Sequence, residues 1–347
     1  MGRRVLITGL GAFWGGRVAQ TLEANDDIEV IIGLDREEPK VELHRTEYVR
    51  TDENYSILAR IVKAAAIDTV VHTFLVVDST MMRGRTMHEI NVIGTMNLFA
   101  AAGAAGSTVR DVVVKSSTLV YGAGQRDPVW FGEETPRVTP PSSRVERSLL
   151  EVEGYVRDFA EDNPHVTVSL LRFSNVLGTD ISTPISRALE LPAVPAVFGF
   201  DPRFQFVEED DVIRSILFVL EHHLPGVYNV AGDGQLPWSE VASITGKPQF
   251  YLPPYGTELA AAALRAARII DLPPELLALL RHGRGVDNRR LQRAGFRYKY
   301  TSAGAVESFA KSMRLRRTVG ENQPAYTYER DVEAFFRHSP AVVRDPE

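Results

Sequence analysis

Short runs of apolar residues alternate with amphipathic stretches through the first half of the chain. The apolar runs predict strands at residues 5–8, 29–34, 69–72, 112–114 and 167–171. The stretches between them carry apolar residues at helical spacing, which predicts helices at 17–24, 57–66, 89–105 and 144–161. Strands that alternate with helices are typical of a parallel sheet covered on both faces. Right-handed crossovers then make a doubly wound sheet the expected fold.

The pattern of the chain changes after Arg172. Prolines are frequent between residues 184 and 202, a helix is predicted at 211–222, and a strand is predicted at 226–230. Further helices are predicted within 255–285. The proline-rich stretch and these helices would line a substrate pocket, although neither region contains a recognisable motif.

These patterns divide the chain into two parts. We expect a Rossmann-type α/β domain with a doubly wound parallel sheet at residues 1–175. A smaller C-terminal α/β lobe that binds substrate is expected at 176–339, and a polar tail at 340–347. The chain is expected to cross back to the first domain around 203–232.

A glycine-rich segment joins the first predicted strand to the helix that follows it. Its residues are Gly9, Gly11, Ala12, Phe13, Trp14 and Gly15. Small residues let the backbone approach a pyrophosphate, and the helix N-terminus offers free N–H groups and a positive dipole end. Asp35 ends the second strand, where a carboxylate accepts hydrogen bonds from a ribose 2′-OH and repels a 2′-phosphate. The segment therefore predicts NAD rather than NADP, although the neighbouring Arg36 is able to pair with a phosphate.

Composition narrows the classes of partner and of chemistry. The 347 residues are 44% hydrophobic and 24% charged, as in ordinary globular proteins. The formal net charge of -6 gives no electrostatic reason to expect nucleic acid or an anionic membrane as a partner. The chain has no cysteine, and no His, Asp and Glu residues have metal-ligand spacing, so no metal is expected. We expect a cytoplasmic protein.

Several further segments match, in chain order, the motifs of one protein family. They are NVIGTMN at 91–97, SSTLVYG at 116–122, LRFSNVLG at 171–178, FVEEDDV at 206–212 and YNVAG at 228–232. Together with the glycine segment they resemble the extended short-chain dehydrogenase/reductase superfamily, in its NAD-dependent epimerase/dehydratase branch. UDP-galactose epimerases are members of that branch. The resemblance implies transient hydride transfer through NAD on a nucleotide sugar or a related small molecule.

The resemblance also implies roles for individual residues. Those expected to bind the cofactor, in addition to the residues named above, are Asp52, Asn91, Ser116 and Phe74. Ser117 stands where the family has a hydroxyl that hydrogen-bonds the substrate oxygen, and Asn175 stands near the expected substrate diphosphate. Members of the family often form homodimers through two helices, which here are predicted near 89–105 and 144–161.

The chain departs from the family at its catalytic YxxxK motif. In the family the tyrosine is the acid/base, and the lysine lowers its pKa. Alignment on Glu151 places Ser143 at the tyrosine position and Arg147 at the lysine position. An arginine stays protonated and cannot transfer a proton, and a serine is a poor acid/base by itself. Phe74 also replaces a small residue that lies against the cofactor in the family, so its side chain would have to swing aside or narrow the pocket.

Lys115 is the candidate for a replacement proton carrier. It precedes Ser116 and Ser117 at the end of the fifth predicted strand, where sites gather in sheets of this type. Because side chains alternate along a strand, Lys115 and Ser117 should point to the same side. The alternative, and the more common case, is a strand-end lysine that reaches water.

Three functions follow from the sequence, of which a structural homologue with an empty site fits least well because Asp35 and the glycines remain. The first is an epimerase, dehydratase or related oxidoreductase with a rearranged acid/base set, which the candidates Ser117, Lys115, Ser143 and Arg147 would form. The second is a non-catalytic NAD(H)-binding sensor, regulator or scaffold, which the missing tyrosine and lysine favour.

Overall fold

The computed structural model describes residues 2–51, 54–81 and 84–319. The strands in these ranges are β1 (Arg3–Thr8), β2 (Ile28–Asp35), β3 (Thr46–Arg50), β4 (Thr69–His72), β5 (Asp111–Ser117), β6 (Trp130–Phe131), β7 (Thr167–Phe173), β8 (Asn175–Leu177), β9 (Val194–Val197), β10 (Arg203–Phe204), β11 (Phe206–Glu208), β12 (Gly226–Val230), β13 (Leu236–Pro237), β14 (Gln249–Leu252) and β15 (Gly285–Val286). The α-helices are α1 (Phe13–Leu22), α2 (Tyr55–Ala64), α3 (Gly84–His88), α4 (Gly94–Ala102), α5 (Arg144–Asp162), α6 (Pro184–Glu190), α7 (Glu209–Glu221), α8 (Trp238–Thr245), α9 (Thr257–Ala266), α10 (Pro274–His282), α11 (Arg289–Arg293) and α12 (Ser302–Val319). A π-helix at Glu89–Ile93 joins α3 to α4, and a 3₁₀-helix at Thr118–Tyr121 follows β5.

A seven-stranded parallel sheet forms the centre of the molecule. Its strand order is β12-β7-β5-β4-β1-β2-β3. The direction of winding reverses between β1 and β4, and ligands of open α/β sheets bind at such a switch point beyond the carboxyl ends of the strands. The predicted doubly wound, Rossmann-type α/β fold is confirmed. Strand β12 returns from the C-terminal half of the chain to the edge of this sheet.

Side chains that alternate along the central strands build two separate cores. Leu6 of β1 lies in a core with residues of α2, α4 and α5, on one face of the sheet. Its neighbours Val5 and Ile7 lie in the other core, with residues of α1 and α7. Both faces are therefore buried, which explains the nearly continuous apolar runs in the sequence.

The C-terminal half adds a third core beyond the sheet. Trp238, Phe204 and Phe206 are fully buried there, and the indole of Trp238 donates a 2.8 Å hydrogen bond to the carbonyl of Pro195. Helices α6, α8, α10 and α12 and the β9–β14 pair contribute many of the other apolar side chains. This lobe places α6 and α10 beside the carboxyl ends of the central strands.

Some of the predicted features lie outside the described residues. They are Asp52 and the tail at 340–347. Among the described residues, no helix combines the length and the apolar character needed to cross a membrane. The same residues contain no group of three or more His, Asp and Glu side chains placed to hold a metal ion.

Candidate functional site

The glycine segment forms a tight turn between β1 and α1. Gly9 has a φ of +78°, and a Cβ added to it would lie 2.9 Å from the main chain of Phe74. A Cβ on Gly15 would collide with the carbonyl oxygen of Gly9. The N-cap of α1 is Ala12, whose side chain cannot cap the helix. The first amides of α1 therefore start the helix without a side-chain acceptor, an arrangement that suits a bound anion.

Asp35 joins the end of β2 to the glycine turn. Its Oδ2 accepts a 2.9 Å hydrogen bond from the amide of Gly11, and its Oδ1 accepts bonds from the amides of Arg36 and Glu37. Burial raises the pKa of the Asp35 carboxyl, and the three amides act in the opposite direction. The carboxyl therefore lies in the wall of the site and is held by main-chain donors.

One cavity of about 1110 Å³ begins at this turn and continues to the C-terminal lobe. It passes the carboxyl ends of β1, β2, β4, β5 and β7 and reaches residues 179–185 and α10. Pockets that hold a single drug-sized ligand measure roughly 300–1000 Å³. The cavity is thus slightly larger than the usual site for one such ligand. The turn and Asp35 fit the pyrophosphate and the sugar of such a dinucleotide.

Most of the predicted cofactor-binding residues lie at this cavity. Those that line it are Gly11, Ala12, Phe13, Trp14, Asp35, Arg36, Phe74 and Ser116. Trp14 stacks on Phe173 with ring centres 5.9 Å apart, and Phe13 contacts Trp14 edge to face at 5.0 Å. Phe74 is only half-buried, and its main chain lies close to Gly9.

Lys115 lies in the wall of the same cavity and is buried. Its Nζ donates a 2.8 Å hydrogen bond to the carbonyl of Leu75 and lies 5.4 Å from the centre of the Trp14 ring. Burial lowers the pKa of Lys115 to about 7. A lysine in this environment exchanges a proton readily near neutral pH, unlike a lysine in water.

The two serines after Lys115 have different partners. Ser116 donates a 2.6 Å hydrogen bond to Glu153 of α5, and Glu153 also forms an ion pair with Arg172. The Oγ of Ser117 accepts a 3.2 Å bond from the amide of Leu119 and so caps the 3₁₀-helix. Both serines line the cavity. Ser117 can therefore still donate its own hydroxyl proton to a ligand.

Asn175 and Asn91 stand in different relations to the cavity. Asn175 lines it and donates from Nδ2 to the carbonyl of Gln205 at 2.8 Å, which leaves its Oδ1 as an acceptor. Asn91 is fully buried and forms two 2.8 Å hydrogen bonds with the main chain of Val76. Asn91 therefore fixes the segment after β4, and Val76 itself lines the cavity.

Ser143 and Arg147 lie at the start of α5. Ser143 is the N-cap of this helix, because its Oγ accepts a 3.2 Å hydrogen bond from the amide of Glu146. The Nε of Arg147 lies 3.4 Å from the carbonyl of Ser143. Neither residue is among the described residues that line the cavity. The structure thus brings Lys115 and Ser117 to the cavity but not Ser143 and Arg147.

His72 adds no proton carrier to the site. Its two ring nitrogens lie 2.7 Å from the hydroxyl of Thr8 and 2.9 Å from that of Thr95. Burial lowers the pKa of His72 to about 3, so the ring stays neutral at physiological pH. It therefore links β1, β4 and α4 as a hydrogen-bonded core residue.

Arg284 and Glu275 are buried charged residues of the cavity wall that the sequence did not single out. Arg284 is buried, and its guanidinium donates a 3.0 Å hydrogen bond to the carbonyl of Gly122. Burial lowers the pKa of Arg284 to about 10. Glu275 of α10 is also buried; its Oε1 accepts a 2.6 Å bond from Ser79, while its Oε2 has no hydrogen-bond partner. The sequence predicted only that helices within 255–285, a range that includes both residues, would line the pocket.

The parallel sheet and the glycine turn between β1 and α1 define a Rossmann-type dinucleotide-binding protein. The chain belongs to the NAD-dependent epimerase/dehydratase family, whose sequence profile matches residues 5–231. It is 32% identical over 317 residues to an uncharacterized protein of Mycobacterium tuberculosis, which covers 90% of this chain and 84% of that protein. It is 27% identical over 186 residues to the UDP-glucose 4-epimerase of Erwinia amylovora, or 50% of this chain and 53% of that enzyme. The predicted family is confirmed, and with it NAD as the cofactor of that family.

Solved structures of similar fold include two sugar-nucleotide 4-epimerases and a sugar-nucleotide 4,6-dehydratase. The UDP-glucose 4-epimerase of Thermotoga maritima, solved with UDP-glucose, has a TM-score of 0.68 at 19% identity over 90% of this chain and 99% of that one. The UDP-glucuronic acid 4-epimerase of Bacillus cereus, solved with NAD, has a TM-score of 0.68 at 16% identity over the same shares. The dTDP-glucose 4,6-dehydratase DesIV of Streptomyces venezuelae has a TM-score of 0.68 at 22% identity over 90% and 98%. These TM-scores show that the fold is shared.

Proposed function

We propose that this protein is an NAD-dependent enzyme of the epimerase/dehydratase kind that acts on a nucleotide sugar. The observation that carries the proposal is the single cavity of about 1110 Å³ that joins the start of α1 to α10. Family membership supports the general kind of protein. Relatives and structural neighbours that are UDP-glucose epimerases support the class of substrate.

The residues at the ends of β1 and β2 would hold NAD. The uncapped amides at the start of α1 suit the pyrophosphate, and Asp35 suits a ribose hydroxyl. The buried Asp35 carboxyl also opposes a 2′-phosphate, which favours NAD over NADP. When bound, NAD supplies a reversible acceptor for hydride from a substrate carbon.

The chain itself must remove and return the proton of the substrate hydroxyl. Lys115 would do this at Nζ, since burial brings its pKa to about 7 and the neutral amine can accept a proton. Ser117 would donate a hydrogen bond to the same substrate oxygen. The two side chains lie on one strand end and in the wall of one cavity, which supports a joint role.

The far end of the cavity suits an anionic substrate. The guanidinium of Arg284 is buried there without an ion-pair partner among the described carboxylates. A buried cation of this kind suits the diphosphate of a nucleotide sugar. Asn175 would accept a hydrogen bond from a substrate hydroxyl group through its Oδ1.

The second candidate is a non-catalytic NAD(H)-binding sensor or scaffold. The position of Ser143 favours it, because a helix cap and the neighbouring Arg147 stand in place of the tyrosine and lysine of the family. This candidate needs the cofactor end of the cavity but does not need Lys115, Arg284 or a sugar. The two candidates therefore differ in what happens after the dinucleotide binds.

We also propose that the protein forms a homodimer through the α4 and α5 region. Met96 of α4 and Tyr155 of α5 expose 42% and 37% of their surfaces, although both are large apolar residues. Exposed apolar side chains on two adjacent helices are typical of a face that a second copy covers.

A panel of nucleotide sugars tests the proposed function. The full-length protein, loaded with NAD, is incubated with UDP-glucose, UDP-galactose, UDP-glucuronic acid and dTDP-glucose, and the products are separated by chromatography. Conversion of one of them, lost in Lys115→Met and kept in Ser143→Ala, supports the enzyme. Tight NADH binding with no conversion and no binding of any nucleotide sugar supports the sensor.

A further inference from the structure

Lys115 holds an ammonium group in an apolar part of the cavity wall. Its Nζ contacts the carbonyl of Leu75 and the face of Trp14, and Trp14 in turn stacks on Phe173. All four residues line the cavity, and Trp14 belongs to the glycine turn, so this is the cofactor end of the site. No carboxylate among the described residues offsets the burial of this amine.

We propose that Lys115 makes this site bind the reduced dinucleotide in preference to the oxidised one, in a way that depends on pH. The inference rests on the proposed NAD(H) site. The nicotinamide ring of NAD carries a positive charge that the ring of NADH lacks. A buried ammonium in the same cavity repels the charged ring, and this repulsion is strong because charges are weakly screened inside the protein. Lys115 also attracts the pyrophosphate, but equally in both forms, so the ratio of the two affinities reports on the ring alone.

The direction of the pH effect follows from the charge of Lys115. Below pH 7 the amine is protonated and NAD is disfavoured; above pH 7 the amine is neutral and the discrimination disappears. His72 on the neighbouring β4 interacts electrostatically with Lys115, but its pKa of about 3 keeps it neutral through this range. Four charged groups on neighbouring elements have partners within the protein: Asp78 pairs with Arg187, Glu153 with Arg172 and Arg17 with Asp210, and Glu209 accepts a hydrogen bond from Thr179.

Calorimetric titration of the full-length protein with NAD and with NADH between pH 6 and pH 9 tests the inference. We expect the ratio of the dissociation constants, NAD over NADH, to be about tenfold larger at pH 6 than at pH 9, the effect of two unit charges about 12 Å apart at an effective dielectric constant of about 20. NAD binding near pH 7 should also release protons. That release appears as a dependence of the binding heat on the ionisation enthalpy of the buffer.

Substitutions at Lys115 separate its charge from its bulk. Lys115→Met should make the ratio independent of pH and abolish the proton release. Lys115→Arg keeps a charge that does not titrate, so its ratio should stay high up to pH 9. The matched control is Lys40→Met, which removes an exposed charge from the wall of the same cavity. Lys40→Met should change both affinities together and leave their ratio and its pH dependence as in the wild type.

Two results would contradict the inference and can be told apart. If the wild-type ratio is constant from pH 6 to pH 9, or if Lys115→Met keeps the wild-type dependence, Lys115 does not set the preference. The NAD(H) site then stands without it. If neither dinucleotide binds to the wild type at all, the proposed function fails and this inference fails with it.

Discussion

Asp35 accepts a 2.9 Å hydrogen bond from the main-chain amide of Gly11. This bond joins the acid at the end of β2 to the turn after β1, so one carboxyl both shapes the turn and faces the cavity. Asp35→Ala should therefore lower the affinity for NADH by roughly tenfold to a hundredfold, the effect of removing a charged hydrogen-bonding group. Calorimetry with NADH measures the loss.

A second acidic residue controls for charge in this test. Asp26 is exposed in the turn before β2, and Asp26→Ala removes the same charge away from the cavity. It should bind NADH as the wild type does. If Asp35→Ala and Asp26→Ala bind NADH with equal affinity, Asp35 does not contact the cofactor.

The glycine turn and Asp35 could be predicted because their chemistry is local. Gly9 and Gly15 are needed where the chain turns from a strand into a helix. The order of strand, glycines and helix in the sequence therefore predicts this turn. The alternation of Val5, Leu6 and Ile7 likewise determines which face each side chain enters. The sheet and the cofactor end of the site follow from patterns of a few residues.

The substrate end could not be predicted in this way. Glu275 meets Ser79, and Arg284 meets Gly122, only because the C-terminal lobe folds over the sheet. The lowered pKa of Lys115 has the same origin, since it depends on burial against Leu75 and Trp14, residues distant in sequence. The sequence therefore left Lys115 open between a surface lysine and a proton carrier, and the fold places it in the cavity wall.

Burial of Lys115 should destabilise the folded protein in a defined pH range. The pKa of this amine is about 7 in the folded chain against 10.5 in the unfolded chain. The unfolded state thus binds more protons between these values, so stability rises as the pH increases from 7 towards 10.5. Below pH 7 the penalty is fully present and amounts to about 5 kcal/mol. Lys115→Met should therefore be more stable than the wild type at pH 7, by several kcal/mol, and by much less at pH 10.

Urea unfolding at the two pH values measures this difference. Lys63→Met, at an exposed position in the last turn of α2, is the control and should change stability little at either pH. If Lys115→Met increases the free energy of unfolding equally at pH 7 and pH 10, the cause is packing and not charge.

Glu275 should also lower stability, but at the opposite end of the pH scale. Burial raises the pKa of this carboxyl above 4.5, and its Oε2 has no partner. The folded state then holds the proton more tightly than the unfolded state, so stability is lost as the pH rises through the folded pKa. Glu275→Gln removes the charge and keeps an oxygen for Ser79. At pH 8 the variant should be more stable than the wild type by about 1–3 kcal/mol, which a higher melting temperature would show. At pH 4.5 its melting temperature should not exceed that of the wild type.

Glu258 provides a matched position for that comparison. It occupies the first turn of α9 as Glu275 occupies the first turn of α10, but it is exposed. Glu258→Gln should show no gain at pH 8, since a carboxylate near a helix N-terminus is mildly favourable in water. An equal increase in stability at pH 8 in Glu275→Gln and Glu258→Gln would assign the effect to the helix end and not to burial.

Ser143 should act on stability and not on cofactor binding. Its Oγ caps α5 through the amide of Glu146, so Ser143→Ala should lower the free energy of unfolding by about 1 kcal/mol. Ser143→Asp keeps an acceptor at the cap and should recover most of this loss. NADH affinity, measured on the same preparations, should be unchanged in both. An alanine variant with wild-type stability and impaired turnover would instead give Ser143 a role in catalysis.

The exposed apolar residues on α4 and α5 predict how the protein assembles. Light scattering after size exclusion should give twice the chain mass of 38.5 kDa at micromolar concentration. Met96→Glu combined with Tyr155→Glu should shift the protein to a monomer, because each charge would be buried in a two-fold interface without a partner. Leu259→Glu, on an exposed apolar position of α9, should remain dimeric. Wild-type protein that elutes as a monomer at these concentrations would show that the exposed residues on α4 and α5 do not form a self-association face.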